Sequence, residues 1–161
     1  MPLIALVTYE CGLGMKITLI IVGFLAFLIL AALLFFAYQS KTAPELGLMD
    51  GQLRACLYSS HCVNSMVQGE GMIAPISLLK KGWLQLPRVI ARIEGQLEQH
   101  DDHYLWATFR SPLFGFVDDM ELLWDEEAGL LHVRASSRVG RSDFSVNRKR
   151  VDVLREHLLL L

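Results

Sequence analysis

The pattern of apolar and polar positions divides the chain near residue 40. Residues 17–38 carry no charged side chain, and apolar residues occupy every side of a helix drawn through them. These 22 residues would form a helix of about 33 Å, close to the thickness of a hydrocarbon core of about 30 Å. A cleaved signal peptide has an apolar stretch of about 7–15 residues followed by a small-x-small site. Here the stretch is longer, and Phe35-Phe36-Ala37 puts aromatics where a small residue is needed. The pattern therefore predicts an uncleaved transmembrane anchor over 17–38, preceded by a short tail over 1–16 and followed by a linker over 39–52 with Lys41, Pro44 and Gly47. Within the tail, Met15-Lys16 directly before Ile17 looks like a natural start. Residues 1–14 are accordingly expected to derive from an upstream start codon, which N-terminal sequencing of the endogenous protein tests.

Beyond the linker, residues 53–161 alternate in ways that suit a folded domain. Ile73-Ala-Pro-Ile76 reads as a short edge strand, because Pro75 cannot donate to a central ladder. Between 84 and 98 the apolar positions Leu86, Val89, Ile90, Ile93 and Leu97 recur at helical spacing, with Pro87 in the first turn. Three strands follow, over 104–110, 116–124 and 130–138, the last two joined by the polar turn Asp125-Glu-Glu-Ala-Gly129. Val151, Leu154, Leu158 and Leu161 form one stripe of a terminal helix over 146–161. The expected fold class is α+β: an N-terminal transmembrane helix, then a small two-layer domain with an antiparallel sheet and two packing helices.

Composition adds to this in two places. The hydrophobic fraction of 53% and mean hydropathy of +0.37 are high, and the anchor accounts for the excess. Net charge is −2, yet the charges are segregated: residues 94–127 hold ten acids against Arg110, and residues 134–150 hold six bases against Asp143. Lys16 ahead of the span favours a cytoplasmic N-terminus. The expected location is the inner cell membrane, single-pass, with the soluble domain in the periplasm and the bilayer as partner of residues 17–38.

Candidate chemistry is sparse. Cys56 and Cys62 have five residues between them, which is neither a redox CxxC nor a zinc-ligand spacing. In an exported domain a local disulfide is the economical reading; unpaired thiols, or a Cys62 nucleophile beside His61, are the alternatives. No phosphate loop, GxSxG elbow or HExxH motif is present. No catalytic residue, metal or cofactor is assigned. Arg148-Lys149-Arg150 lacks any accompanying RNA-recognition signature, and no nucleic-acid partner is expected. The hairpin after residue 116 is more suggestive. Pairing Leu123 with Leu131 sets Asp118 opposite Ser136 between Arg134 and Arg138; a slip of one residue brings Asp119 and Glu121 there instead. Either register gathers carboxylates and guanidiniums at one end of the sheet. They form an internal salt-bridge network or a clamp for an anion. Asp143 and Asn147 precede or open the last helix and suit capping.

Ser111-Pro-Leu-Phe-Gly-Phe-Val-Asp-Asp-Met-Glu121, Val133-Arg-Ala-Ser-Ser-Arg-Val-Gly140, Ser142-Asp143 and Val146-Asn-Arg-Lys-Arg-Val151 resemble the domain-of-unknown-function family 1499. The resemblance runs from about Cys56 to Leu158. Family members carry a Cys-Pro-x-Ser-Pro-Asn-Cys-Val-Ser-Ser loop; here the cysteines, Ser59 and Val63 match, both prolines are absent and His61 replaces the Asn. The resemblance implies an exported or membrane-tethered domain and supplies no catalytic residues. It coincides with the polar residues singled out above, so the candidate ligand-binding set is Asp118, Asp119, Arg134, Ser136, Arg138, Asp143, Asn147 and Arg148. The function expected is a membrane-tethered, non-catalytic binding or assembly-assisting domain, engaging a membrane-protein partner or a small anionic ligand. An enzyme acting on a membrane-associated substrate through Asp118 or Cys62, or a structural subunit of a membrane complex, is the alternative.

Overall fold

A computed structural model describes the chain from Leu3, with side chains from Gly14 onward. The expectation of an upstream start concerns residues 1–14, of which residues 1–2 and the side chains of residues 3–13 fall outside those described. The chain divides into two units, Met1–Phe36 and Ala37–Leu161. The first is occupied by helix α1, Leu3–Gln39, within which Gly14–Gln39 is long and apolar enough to cross a membrane.

In the second unit, alternation along the strands decides everything else. Strand β7 (Val117–Asp125) pairs on one side with β6 (Tyr104–Arg110) and on the other with β8 (Leu130–Ser137), all antiparallel. Met120, Leu122 and Trp124 of β7 face the same way as Leu105, Ala107 and Phe109 of β6 and Leu131, Val133 and Ala135 of β8. All nine are buried in one core, together with residues of helices α2 (Lys80–Arg92) and α3 (Val146–Leu158). The expected α+β architecture of sheet and two helices is present. Asp125 closes the β7–β8 turn by accepting from Ala128 N–H at 2.9 Å, and Gly129 takes the left-handed conformation the turn requires (φ 63°).

The sheet is wider than the sequence pattern indicates. Its order is β3-β8-β7-β6-β5, where β3 is Cys62–Asn64 and β5 is Gln96–His100. A two-residue β4, Ile76–Ser77, pairs with the start of β8. Strand β5 occupies residues expected to be helical. The helix begins at Lys80, four residues earlier than the apolar spacing suggests, so Pro87 lies inside it rather than in its first turn. It ends at Arg92 because Glu94 adopts a left-handed φ of 63°, Glu94 N–H donates to Ala91 O and Gly95 N–H donates to Ile90 O. That is the helix-terminating Schellman arrangement, formed around a Glu where a Gly is usual. Gly95 follows because a Cβ there would meet Ile90 and Phe109 at under 3 Å.

The segment 39–52, expected to act as a linker, is hydrogen-bonded to the sheet. Ser40 is fully buried; its hydroxyl donates to Ala37 O and accepts from Val117 N–H, the first residue of β7. A small hairpin of β1 (Leu48–Met49) and β2 (Gln52–Leu53) follows, with Leu53 buried against β7 and β8.

Candidate functional site

The second face of the sheet is polar yet dry. Odd-numbered residues of β7 point there, and Asp119 and Glu121 are 2% and 0% exposed. Glu121 Oε1 accepts from Tyr104 Oη and from Gly47 N–H, each at 2.7 Å, and Oε2 accepts from Arg134 Nη1 at 2.6 Å. Burial, followed by the Glu121 carboxylate beside it, pushes the Tyr104 phenol well above its ordinary value of 10.0. Tyr104 therefore remains a hydrogen-bond donor throughout the neutral range. Asp119 receives a fork from Arg138, with Nε to Oδ2 at 2.8 Å and Nη2 to Oδ1 at 2.7 Å, and Trp106 Nε1 adds a third bond at 2.9 Å. The remaining Arg138 nitrogen, Nη1, donates to the carbonyls of Ser40 and Lys41 at 3.2 Å each. Arg134 Nε is buried with no acceptor among the described residues.

This is the slipped register, and it corrects the pairing of Leu123 with Leu131. Leu123 opposes His132, Trp124 opposes Leu131, Glu121 opposes Arg134 and Asp119 opposes Ser136. The reason is parity. Leu131, Val133 and Ala135 must share a face with Met120, Leu122 and Trp124 to complete the core, and only an even residue of β7 opposite an odd residue of β8 does so.

Asp118 consequently points to the other face, where it meets α3 instead of the two sheet arginines. Its Oδ2 accepts from Arg150 Nη2 at 2.9 Å, and Arg150 lies over the Phe109 ring at 4.5 Å and donates to Asn147 Oδ1 at 2.7 Å. Asn147 Nδ2 reaches His61 O and Ser137 Oγ, tying α3 to β3 and β8. Asp143 accepts from Ser145 N–H and Asn147 N–H at 2.9 Å each and so serves the start of α3. Arg148 is exposed and donates to Met72 O at 3.2 Å. Ser136 is half-buried and donates to Ser137 O at 3.4 Å. The candidate set thus separates into two clusters on opposite sheet faces: Asp119, Arg134 and Arg138 on one, Asp118, Asn147 and Asp143 on the other. Glu121, Tyr104, Trp106 and Arg150 complete them, and sequence reasoning left them out of the candidate set. The parity of the core residues was the signal for Glu121.

The family model described as a protein of unknown function (DUF1499) matches residues 52–158. The chain belongs to the DUF1499 family. No curated protein and no solved structure matches it. In this DUF1499 chain the matched span contains both polar clusters but not Ser40, Lys41 or Gly47, whose backbone groups complete the Asp119–Arg138 and Glu121 networks. The polar face is closed by residues lying outside the family match.

The cysteines form a Cys56–Cys62 disulfide with a Cα–Cα separation of 5.7 Å. The Cys62 sulfur is therefore not available as a nucleophile. Among the described residues no group of three His, Cys, Asp or Glu side chains is arranged to hold a metal ion.

A cleft of about 540 Å³ lies at the opposite end of the sheet from Ser40, between the start of α2 and the β5–β6 and β7–β8 turns. Trp83 stacks on Trp124 with ring centroids 5.7 Å apart, and His100 and His103 flank the pair at 5.1 and 5.8 Å. Asp101, Asp102, Glu126 and Lys80 form the rim. Sequence reasoning treated His100-Asp-Asp-His103 only as part of an acidic block.

Proposed function

We propose that this DUF1499 chain is a membrane-tethered, non-catalytic binding or assembly-assisting domain, anchored by residues 17–38 in the inner membrane and facing the periplasm. One observation carries the reading: the residues that leave the apolar helix are built into the domain. Ser40 donates and accepts within the sheet, Arg138 holds two carbonyls of the same segment, and Gly47 donates to Glu121. Such a join suits a domain held at a set distance from a bilayer better than a cargo released from a signal sequence. The disulfide supports an oxidising compartment, where such bonds persist.

The arrangement also supports a particular binding surface. Arg134 and Arg138 each hold a buried carboxylate at 2.6–2.8 Å, which leaves them ill-suited to clamp an external anion. The cleft exposes His100, His103, Asp101 and Asp102 while Trp83 and Trp124 are buried in its wall, and its acidic side chains suit a partner that presents cationic or hydrogen-bond-donating groups. The enzyme alternative loses support, since Cys62 is bonded to Cys56 and Asp118 to Arg150.

The test is a photoreactive residue in place of His103 in the full chain, in native membranes. The expected result is a discrete protein adduct that disappears when Asp101→Lys and Asp102→Lys are added. Absence of any adduct from position 103 and from neighbouring cleft positions overturns the cleft as the binding surface. Extraction of the full chain by alkaline carbonate overturns the anchor.

A further inference from the structure

Chain topology collects four exposed apolar side chains at one end of the domain. Strand β6 leaves the sheet at Arg110 and β7 begins at Val117, so the connecting residues 111–116 lie at that end, with Leu113 82% exposed. Cys62 pairs with Ser136 near the end of β8, which brings the disulfide loop to the same end, with Leu57 and Tyr58 90% and 67% exposed. Helix α3 starts there too, since Asn147 bonds His61 O and Ser137 Oγ, and Phe144 just before it is 85% exposed. Phe144 and Ser145 both adopt left-handed φ values, 51° and 64°, a conformation that carries strain outside glycine. Asp143 holds this turn by accepting from Ser145 N–H and Asn147 N–H, so an aromatic ring is fixed toward solvent by strained backbone.

Charge follows the same axis. Lys41, Arg110, Arg141, Arg148 and Lys149 are exposed at this end, against the acids Glu70, Glu94 and Asp143. The far end also exposes Leu79, Leu84, Leu159 and Leu160, but sets them beside exposed Asp101, Asp102, Glu126 and Glu127, against Lys80 and Lys81. Residues 37–41 also lie at the basic end, because Ser40 accepts from Val117 N–H and Arg138 holds the carbonyls of Ser40 and Lys41. The stretch able to span a membrane ends at Gln39, one residue before Ser40. Chain continuity therefore keeps residues 40–41, and the end of the sheet that binds them, next in sequence to that stretch.

We infer that the apolar tips Leu57, Tyr58, Leu113 and Phe144 seat the domain in the interfacial layer of the bilayer. Lys41, Arg110 and Arg141 meet anionic lipid headgroups around them. Aromatic and aliphatic tips with basic neighbours are the composition that this layer favours. The domain then stands with its acidic cleft turned away from the membrane. The inference rests on reading residues 17–38 as an anchor, and the experiment separates the two.

The full chain is reconstituted into vesicles of phosphatidylethanolamine and phosphatidylglycerol whose acyl chains carry bromine. An environment-sensitive fluorescent residue replaces Leu113, Phe144 or, as control, Glu127. The expected result is loss of emission to the lipid bromines at 113 and 144 and none at 127, with the reverse pattern for aqueous iodide. Arg110→Gln with Arg141→Gln weakens the lipid quenching in these vesicles but not in phosphatidylcholine alone. Iodide quenching at 113 and 144 equal to that at 127 overturns the inference, as does shielding from both quenchers, which indicates a protein partner or second copy at this end. Carbonate extraction run in parallel reports on the anchor: retention with aqueous tips sinks the inference alone. Extraction overturns the anchor and, with it, this inference.

Discussion

Strand β7 presents two equally dry faces built on opposite principles. Met120 and Leu122 on one side and Asp119 and Glu121 on the other are all at most 2% exposed. The first pair contributes by removal from water, roughly 25 cal/mol per Å² of apolar surface, and depends little on exact geometry. The second pair is tolerable only because every carboxylate oxygen has a partner: Tyr104, Gly47 and Arg134 for Glu121, Trp106 and Arg138 for Asp119. One face is a packing problem with many solutions, and the other a network that fails when one member is lost. The contrast also explains why the segment after the apolar helix is ordered, since Ser40, Lys41 and Gly47 supply backbone groups that Arg138 and Glu121 would otherwise lack.

Breaking the polar face gives the largest expected effect. Arg138→Ala leaves the Asp119 carboxylate buried with Trp106 as its remaining partner, and is expected to destabilise the domain by about 3–5 kcal/mol in urea unfolding. Asp119→Leu combined with Arg138→Met removes both charges and is expected to be less destabilised than either single change. On the apolar face, the volume-conserving Leu122→Met is expected to lose less than about 1.5 kcal/mol. If Arg138→Ala costs no more than Leu122→Met, the polar face is not a closed network and an external ligand regains support.

A smaller effect separates covalent from non-covalent order at the end nearest Ser40. Replacing both Cys56 and Cys62 by Ser is expected to destabilise by about 2 kcal/mol, the chain-entropy value for so short a loop. The Asn147 bond to Ser137 Oγ lies outside the closed loop and is expected to persist, keeping α3 docked by amide-exchange protection, whereas the bond to His61 O, inside the loop, is expected to weaken.

The smallest effect is a pH dependence from Tyr104. Its folded pKa is raised above the unfolded value of 10.0, so the folded state retains a proton that the unfolded chain releases. Stability from this group is fully present below pH 10 and falls above it, by about 1.4 kcal/mol per pH unit for one proton. Tyr104→Phe is expected to abolish that slope while lowering stability at neutral pH, because Glu121 loses a donor. An unchanged slope in the variant assigns the alkaline loss to another group.

Local signals make much of the molecule legible in the sequence. The uncharged run over 17–38, the two-residue alternation of the three central strands, the Gly-ended turn at Gly129 and the stripe of α3 each depend on neighbours in sequence. The family resemblance rested on the same segments. What escaped notice depended on partners far along the chain. Strand β5 was hidden because Leu97 continues the helical spacing of Val89, Ile90 and Ile93, while the helix ends on the left-handed backbone of Glu94, which its residue type does not advertise. Local pattern allows two registers, and the parity of the whole core selects the one that sends Asp118 to Arg150 and Asp119 to Arg138.

Apolar length, strand period and turn chemistry are properties of a few adjacent residues, so the chain alone determined an apolar helix followed by an α+β domain. Which carboxylate meets which guanidinium, and which loops share an end with Ser40, depends on contacts between residues up to 98 positions apart, as between Arg138 and Ser40. Those pairings exist only once the sheet has closed, because burial is what makes an unpaired charge intolerable and so selects its partner.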